Sequence, residues 1–546
     1  MNNKINTYLI LVVICIVATF LRFWQLGQNP PSLTWDEVAW GYNAYSLGID
    51  GRDEFGRFLP VDYLESFGDF KPPMYAYLDV LPIKLLGLTE FAVRFPSAFF
   101  GVLTVLLTYF LVKRIFPNSK SLEIGNWKLE IPVIAAAVLA ISPWHVNLSR
   151  AAFEANVATF FIISGVWLFL GSVQEKKWYL PLASISFVLS MYTFNTARIV
   201  APLLVLMLAI SFRKQLLERK KHVIIAILIG IILVAPLARF MLTPQARLRF
   251  QEVNIFSDIG VVQRVNQEIA NDGNSWWSKI LHNRRFAYGF EYLHHYFDNL
   301  NPYFLFIKGD GNPKFSTQDV GQLYLWELPF LIGGVLFLFR KREGYWWIIP
   351  VWLFIGIIPA ATARETPHAL RIETTLPTFQ ILVAYGITNL ITATKKKNIL
   401  IAGILMCAFL NFLYYYHGYY AHYPREFSGE WQYGYKDAIT YASSVENQYN
   451  EIFVTESLGR PYIYTLFYKQ YDPRQFRVEA AIQREVFGFV HVRSFGKYYF
   501  ADNFPSEKTI GKKLYIDVPG HVPQHTRILK TFNLLNGNPS LVAYEI

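Results

Sequence analysis

Long apolar runs alternate with polar connections over the first 416 residues. The runs occupy 6–24, 92–112, 131–149, 152–171, 178–194, 198–212, 223–241, 322–340, 346–361, 373–391 and 398–416. A helix needs about 20 mostly apolar residues to cross hydrocarbon, so the pattern predicts about eleven spanning helices. The runs at 178–194, 198–212 and 346–361 are short for that length. Every second connection carries a basic cluster: Lys113, Arg114 and Lys120; Lys176 and Lys177; Arg213, Lys214, Arg219, Lys220 and Lys221; Arg340, Lys341 and Arg342; Lys395, Lys396 and Lys397. Basic connections stay on the cytoplasmic side. With Lys4 they put the N-terminus inside and the remaining connections outside. One missed helix would break this alternation. It therefore also settles 72–88, which is apolar enough to insert but would carry Lys113 and Arg114 outside if it crossed. Asp79 and Lys84 add to the cost of crossing, so 72–88 is expected as a helix lying in the outer interface.

Three long segments then face out: 25–91, 242–321 and 417–546. The middle one contains WWSKILHNRRFAYGFEYLHHYF, whose aromatic and basic residues suit an interfacial amphipathic helix. The last alternates helix-like stretches (435–447, 460–470) with strand-like runs (EIFVT, KLYIDV, LVAYEI). The expected fold class is thus a polytopic α-helical membrane protein, with residues 1–416 as the transmembrane module. Residues 417–546 form a C-terminal extracytoplasmic α/β domain. The first run, Ile5 to Trp24, ends in Arg22-Phe23-Trp24 without a small-residue cleavage site and is read as a retained helix.

Composition agrees. The chain is 53% hydrophobic and 17% charged, against about 25% charged in ordinary soluble domains. Tyr (34) and Phe (45) are abundant, as suits side chains at a membrane boundary. The net charge of +11 falls in the clusters between apolar runs, which argues for topology and against nucleic acid. Both cysteines, Cys15 and Cys407, lie inside apolar runs, so no extramembrane disulfide framework or cysteine zinc site is expected. No Gly-rich nucleotide loop, HExxH or GxSxG occurs.

Candidate chemistry clusters on the outer face. In TWDEVAWGYNAYSL, Asp36 and Glu37 stand shortly after a membrane helix. Carboxylates there suit general-base work, and equally the first turn of a helix starting near Val38. Lys71 precedes Pro72-Pro73, which forbid a helix through it. The ammonium would be presented at the start of the interfacial helix, where it can meet a lipid phosphate. In SPWHVNLSRAAFEANVATFF, Arg150 and Glu154 are spaced to pair on one helix face, with Glu154 about one turn inside the membrane. In ARETPHALRIETTLP, Arg364, His368 and Arg371 gather cations at the outer surface, suited to an anion.

These residues carry a resemblance. Asp36-Glu37, then Lys71-Pro72-Pro73, then Arg94-Phe95-Pro96-Ser97-Ala98 resemble, in order and spacing, the lipid-carrier-dependent glycosyltransferases of the C-type fold. That family includes protein O-mannosyltransferases and the lipid A aminoarabinose transferase. The likeness covers about residues 1–200 and continues through HALRIETTLPTFQILVAYG at 368–386. It implies transfer of a sugar from a polyprenyl-phosphate carrier to an extracytoplasmic acceptor, in the plasma membrane. By the resemblance, Asp36 (with Glu37 beside it) is the catalytic base and Lys71 contacts the carrier phosphate. Glu154 matches an acidic position that lines the same cavity; Arg371, more loosely matched, and Arg150 are expected as further phosphate contacts, with His368 expected beside Glu154 as a second site. Phe70 stands where some relatives have Glu before the lysine. In EWQYGYKD, Gln432 and Tyr433 replace the Trp and Asp of the oligosaccharyltransferase WWDYG motif, so that activity is not expected. No metal is expected to be obligatory; a divalent cation on Asp36, Glu37 and Glu154 is the alternative. Two other functions fit the same topology, a transporter or flippase for lipid-linked sugars and a non-enzymatic receptor or assembly subunit.

Overall fold

A computed structural model of the chain describes residues 2–117, 122–124, 127–246, 254–484, 490–502 and 511–545. Lys120 of the first basic cluster lies outside the described residues. The chain divides into two compact units. One comprises 1–21, 100–148 and 154–415, and the other 22–99, 149–153 and 416–546.

The first unit is helical, and helices occur at all the apolar runs it holds. Among the described residues, four helices are long and apolar enough to cross a membrane by themselves: Glu90–Ile115, Glu154–Gln174, Lys220–Met241 and Lys397–Phe427. Others are shorter, among them Tyr179–Thr193, Ala197–Ser211, Leu328–Lys341, Ile348–Ile357 and Thr378–Ala393. The run 131–149, expected as one helix, is two, Ile131–Ile141 and Pro143–Arg150, bent by 55°. Pro143 lacks the N–H that would continue the helix and pushes Ser142 out of helical geometry.

The core of this unit gathers Leu111, Ile162, Phe169, Leu204, Trp352 and Ile381 among other buried apolar side chains. Two of its helices, Leu328–Lys341 and Thr378–Ala393, meet backbone to backbone. A Cβ on Gly334 would lie 2.0 Å from the Leu382 carbonyl, and one on Gly386 would lie 1.9 Å from that of Phe330. Small residues let two backbones touch, which is how helices associate where no hydrophobic effect drives them together. By contrast Lys220–Met241 exposes Ile224, Ile227, Leu228, Ile231 and Ile232. Such a surface suits hydrocarbon rather than water. The expected amphipathic stretch of the middle segment forms two helices, Trp276–Leu281 and Arg284–Asp298, after a third at Ile259–Asn271. Phe286, Phe290, Leu293 and Phe297 line one exposed stripe.

The second unit joins the first outer loop to the C-terminal segment. The loop forms the helix Trp35–Asp50, a hairpin of Leu64–Ser66 with Asp69–Lys71, and the helix Met74–Leu86 in the stretch expected to lie at the interface. The C-terminal part carries a seven-stranded sheet in the order 527–533, 539–545, 513–517, 451–454, 498–500, 490–495, 481–484. Strand Glu451–Val454 pairs in parallel with both neighbours, and the other pairs are antiparallel. The three strand-like runs are strands, and the two helix-like stretches are Tyr435–Val445 and Pro461–Tyr468.

Hydrogen bonds tie loop to sheet domain. Tyr42 donates to the Tyr471 carbonyl (3.0 Å), Tyr464 to that of Leu33 (3.0 Å), and Tyr462 to Glu54 Oε1 (2.9 Å). Arg477 donates to Ser46 Oγ and the Asp53 carbonyl, both at 3.1 Å, and pairs with Asp50. Arg484 pairs with Glu65.

Candidate functional site

The site is built on the N-terminus of the helix Trp35–Asp50. Thr34 is the N-cap. Its backbone N–H donates to Glu37 Oε2 (2.9 Å), and the Glu37 N–H donates to Thr34 Oγ1 (3.4 Å), closing a capping box. A Thr-x-x-Glu spacing produces this locally, because each side chain satisfies a donor that the first helical turn leaves open. Asp36 thereby falls at the second helical position, where the helix dipole favours a negative charge.

Asp36 and Glu37 are adjacent but have different surroundings. Glu37 is fully buried. Arg94 Nε donates to its Oε1 (2.9 Å), Arg94 Nη2 to its Oε2 (3.3 Å), and the Ala152 N–H to its Oε1 (2.9 Å). Both oxygens are thus occupied within the protein. The Arg94 guanidinium also donates to the carbonyls of Leu26 (3.1 Å), Pro30 (2.7 Å) and Ser32. It therefore binds the chain leading into the helix as well as the helix itself. Asp36 instead has a half-exposed side chain, 50%, and pairs with Lys71, whose side chain is 7% exposed.

Lys71 ends the second hairpin strand, ahead of the two prolines and the helix at Met74. Its ammonium lies 5.3 Å from the Trp40 ring centroid and 5.0 Å from that of Phe67. Trp40 is four residues beyond Asp36, one helical turn on. Phe67 sits at the hairpin turn, where Phe67 (φ 60°) and Gly68 (φ 80°) are both left-handed. The aromatic faces stabilise the buried cation, and the carboxylate is the side of the pair open to solvent.

Behind the hairpin, Glu54 is fully buried. It accepts from Asn43 Nδ2 (2.9 Å), Ser66 Oγ (3.3 Å) and Tyr462 (2.9 Å). Burial pushes its carboxyl up to about 8, against the lowering effect of these hydrogen bonds.

The remaining sequence candidates have other partners. Arg150 ends the helix Pro143–Arg150, and the next helix starts at Glu154, so the two do not share the one continuous helix that was expected. The Arg150 guanidinium is fully buried. It donates to the Trp24 (2.7 Å) and Asn29 (2.8 Å) carbonyls and to Tyr419 Oη (3.1 Å). Glu154, in the helical unit, opens its helix and interacts electrostatically with buried Glu373.

In the same unit His368 packs its ring against Phe315, with centroids 4.8 Å apart, and lies 3.8 Å from Asp310 Oδ2. Burial and the charge of Arg371 hold His368 well below the usual histidine range. Asp310 accepts from the Ala369 (2.6 Å) and Asn312 (2.8 Å) N–H groups, and burial pushes it up to about 6. Arg371 is half-buried and donates to the Glu365 carbonyl at 3.1 Å; Arg364 donates to that of Asn254 at 3.3 Å. Among the described residues no three His, Cys, Asp or Glu side chains are grouped to hold a metal.

Arg94 and Glu54 escaped the reading of single residues. Arg94 has a signal in the sequence, as the first residue of the Arg-Phe-Pro-Ser-Ala motif. Glu54 has none, since its partners come from three separate segments.

The chain is similar to several known proteins. Residues 70–240 match the family described as dolichyl-phosphate-mannose-protein mannosyltransferase. An uncharacterized protein from Aquifex aeolicus (strain VF5) is 28% identical over 216 residues, 39% of this chain and 40% of its own. The putative mannosyltransferase YkcB from Bacillus subtilis (strain 168) is 23% identical over 179 residues, 32% of this chain and 22% of its own. The chain thus spans less than half the length of either relative. The crystal structure of ArnT from Cupriavidus metallidurans in the apo state superposes with a TM-score of 0.53 at 11% identity, covering 98% of this chain and 97% of that one. The protein therefore has the C-type glycosyltransferase fold of multi-pass membrane proteins, and the resemblance seen in its motifs holds.

Proposed function

We propose that the protein is a glycosyltransferase of the plasma membrane that moves a sugar, a hexose or pentose, from a polyprenyl-phosphate carrier to an extracytoplasmic acceptor. The N-terminus lies in the cytoplasm, and the first outer loop and the C-terminal domain lie outside. One observation carries this reading: the half-exposed Asp36 carboxylate paired with the buried Lys71 ammonium at a helix N-terminus. The family description names a lipid-phosphate-linked sugar as donor, and the putative activity of YkcB is of the same class.

The acceptor hydroxyl or amine attacks the anomeric carbon, and Asp36 takes its proton. The bond between that carbon and the carrier phosphate oxygen breaks, and the phosphate leaves with the electron pair. Lys71 offsets the charge that grows on it. Glu37 positions Asp36 and stays out of the proton transfer, because its oxygens are already bonded to Arg94, Thr34 and Ala152.

The test is release of free polyprenyl phosphate by purified protein given polyprenyl-phosphate sugars and an envelope acceptor fraction. Asp36→Asn should abolish release while leaving expression intact. Lys71→Ala should weaken carrier affinity. Normal turnover by Asp36→Asn would overturn the assignment, and carrier binding without release by wild type would favour the flippase.

A further inference from the structure

A turn in the C-terminal part lies beside the Asp36–Lys71 pair. Gly459 (φ 84°) and Arg460 (φ 54°) are consecutive left-handed residues ahead of the helix Pro461–Tyr468. For Gly459 this conformation is free. A Cβ there would also meet the Trp35 ring at 2.9 Å, and Trp35 is the residue before Asp36. For arginine the conformation is strained, so its side chain must be held by something other than backbone preference.

That side chain is half-buried and lies 5.4 Å from the centroid of Phe67, the ring that also carries the Lys71 ammonium at 5.0 Å. Two cations from distant parts of the sequence thus converge on one aromatic ring. Among the described residues no carboxylate lies within ion-pair distance of Arg460. The nearby Glu456 is shared instead by His491 (3.9 Å) and Arg493 (3.6 Å). Two residues on, Tyr462 is anchored to Glu54 at 2.9 Å and has its ring 5.9 Å from that of Phe67. The turn is therefore fixed to the loop that carries the site.

Charge balance says what a second cation would serve. Asp36 already neutralises Lys71. A sugar-linked carrier phosphate is a diester with one negative charge. Once the sugar has left, the monoester carries close to two at neutral pH. The extra charge appears only as the carbon–oxygen bond breaks, so a cation aimed at it favours the transition state and product over the bound donor. We propose that Arg460 is this second cation of the phosphate site, with Lys71 the first, and that it acts on the phosphate as it leaves. This inference rests on the transferase reading above.

The test uses the full chain in phosphatidylcholine nanodiscs as wild type, Arg460→Gly and Arg460→Lys. Glycine removes the charge and suits the left-handed turn, so folding is retained. Arg460→Gly should weaken binding of polyprenyl phosphate about tenfold and lower kcat about ten- to hundredfold. Donor KM should move less than about threefold, and lysine should recover part of both losses. Wild-type-like product affinity and kcat in Arg460→Gly would overturn the inference while leaving the transferase reading intact. So would an effect seen only when phosphatidylglycerol is added, since Arg460 would then touch bulk headgroups. Failure of wild type itself to bind polyprenyl phosphate would remove the transferase reading and this inference with it.

Discussion

The buried pair of Glu37 and Arg94 should be the most sensitive point of the site. Both side chains are essentially inaccessible, at 1% and 0% exposure, and meet at 2.9 Å and 3.3 Å. Glu37→Gln leaves the Arg94 charge buried without a counter-ion, which costs about 3–5 kcal/mol. It also turns an amide N–H toward a donor that now faces a carboxylate oxygen. Arg94→Met should cost at least as much. It leaves Glu37 unpaired and strips donors from the carbonyls of Leu26, Pro30 and Ser32. The double variant removes both charges, so its loss should fall at least about 2 kcal/mol short of the sum of the single losses. Equilibrium unfolding in mixed detergent micelles would measure all three. Additivity within about 0.5 kcal/mol would refute the coupling, and with it the view that Arg94 holds the helix carrying Asp36.

Two further outcomes follow from other parts of the structure. Glu54, pushed up to about 8 when folded, holds a proton that the unfolded chain gives up at an ordinary carboxylate value. Between about pH 4.5 and 8 the folded state binds more protons, so stability should fall as pH rises through that window. Glu54→Gln should flatten this dependence, and an unchanged pH profile of thermal unfolding would count against it. In the helical unit, Gly386→Ala puts a methyl 1.9 Å from the Phe330 carbonyl and must separate two helices in backbone contact. It should cost about 1–3 kcal/mol, and a wild-type melting temperature would show that the contact is not needed.

Much of this was written along the chain. The apolar runs became helices because an α-helix satisfies its own backbone groups within one segment, whatever surrounds it. Thr34-x-x-Glu37 became a cap because its partners are three residues apart. The strands EIFV, KLYID and LVAYE came from short apolar runs rich in β-branched and aromatic residues, and the pause before Met74 from two prolines. The break at Ser142-Pro143 was equally local, and length outweighed it when 131–149 was read as one span.

What the chain left open was which groups meet. Asp36 and Glu37 are equivalent by type and place; only packing gives one to Arg94 and the other to Lys71. Arg150 and Glu154 are four positions apart, yet they end one helix and begin the next. Lys71 and Arg460 share Phe67 across nearly 400 positions, and the sheet sets strand 451–454 between 498–500 and 513–517, neither of them next to it in sequence. Periodicity and capping depend on residues within a few positions of one another, so the sequence determines them. The partner of a buried charge depends on which surfaces dock, and only the tertiary structure decides that.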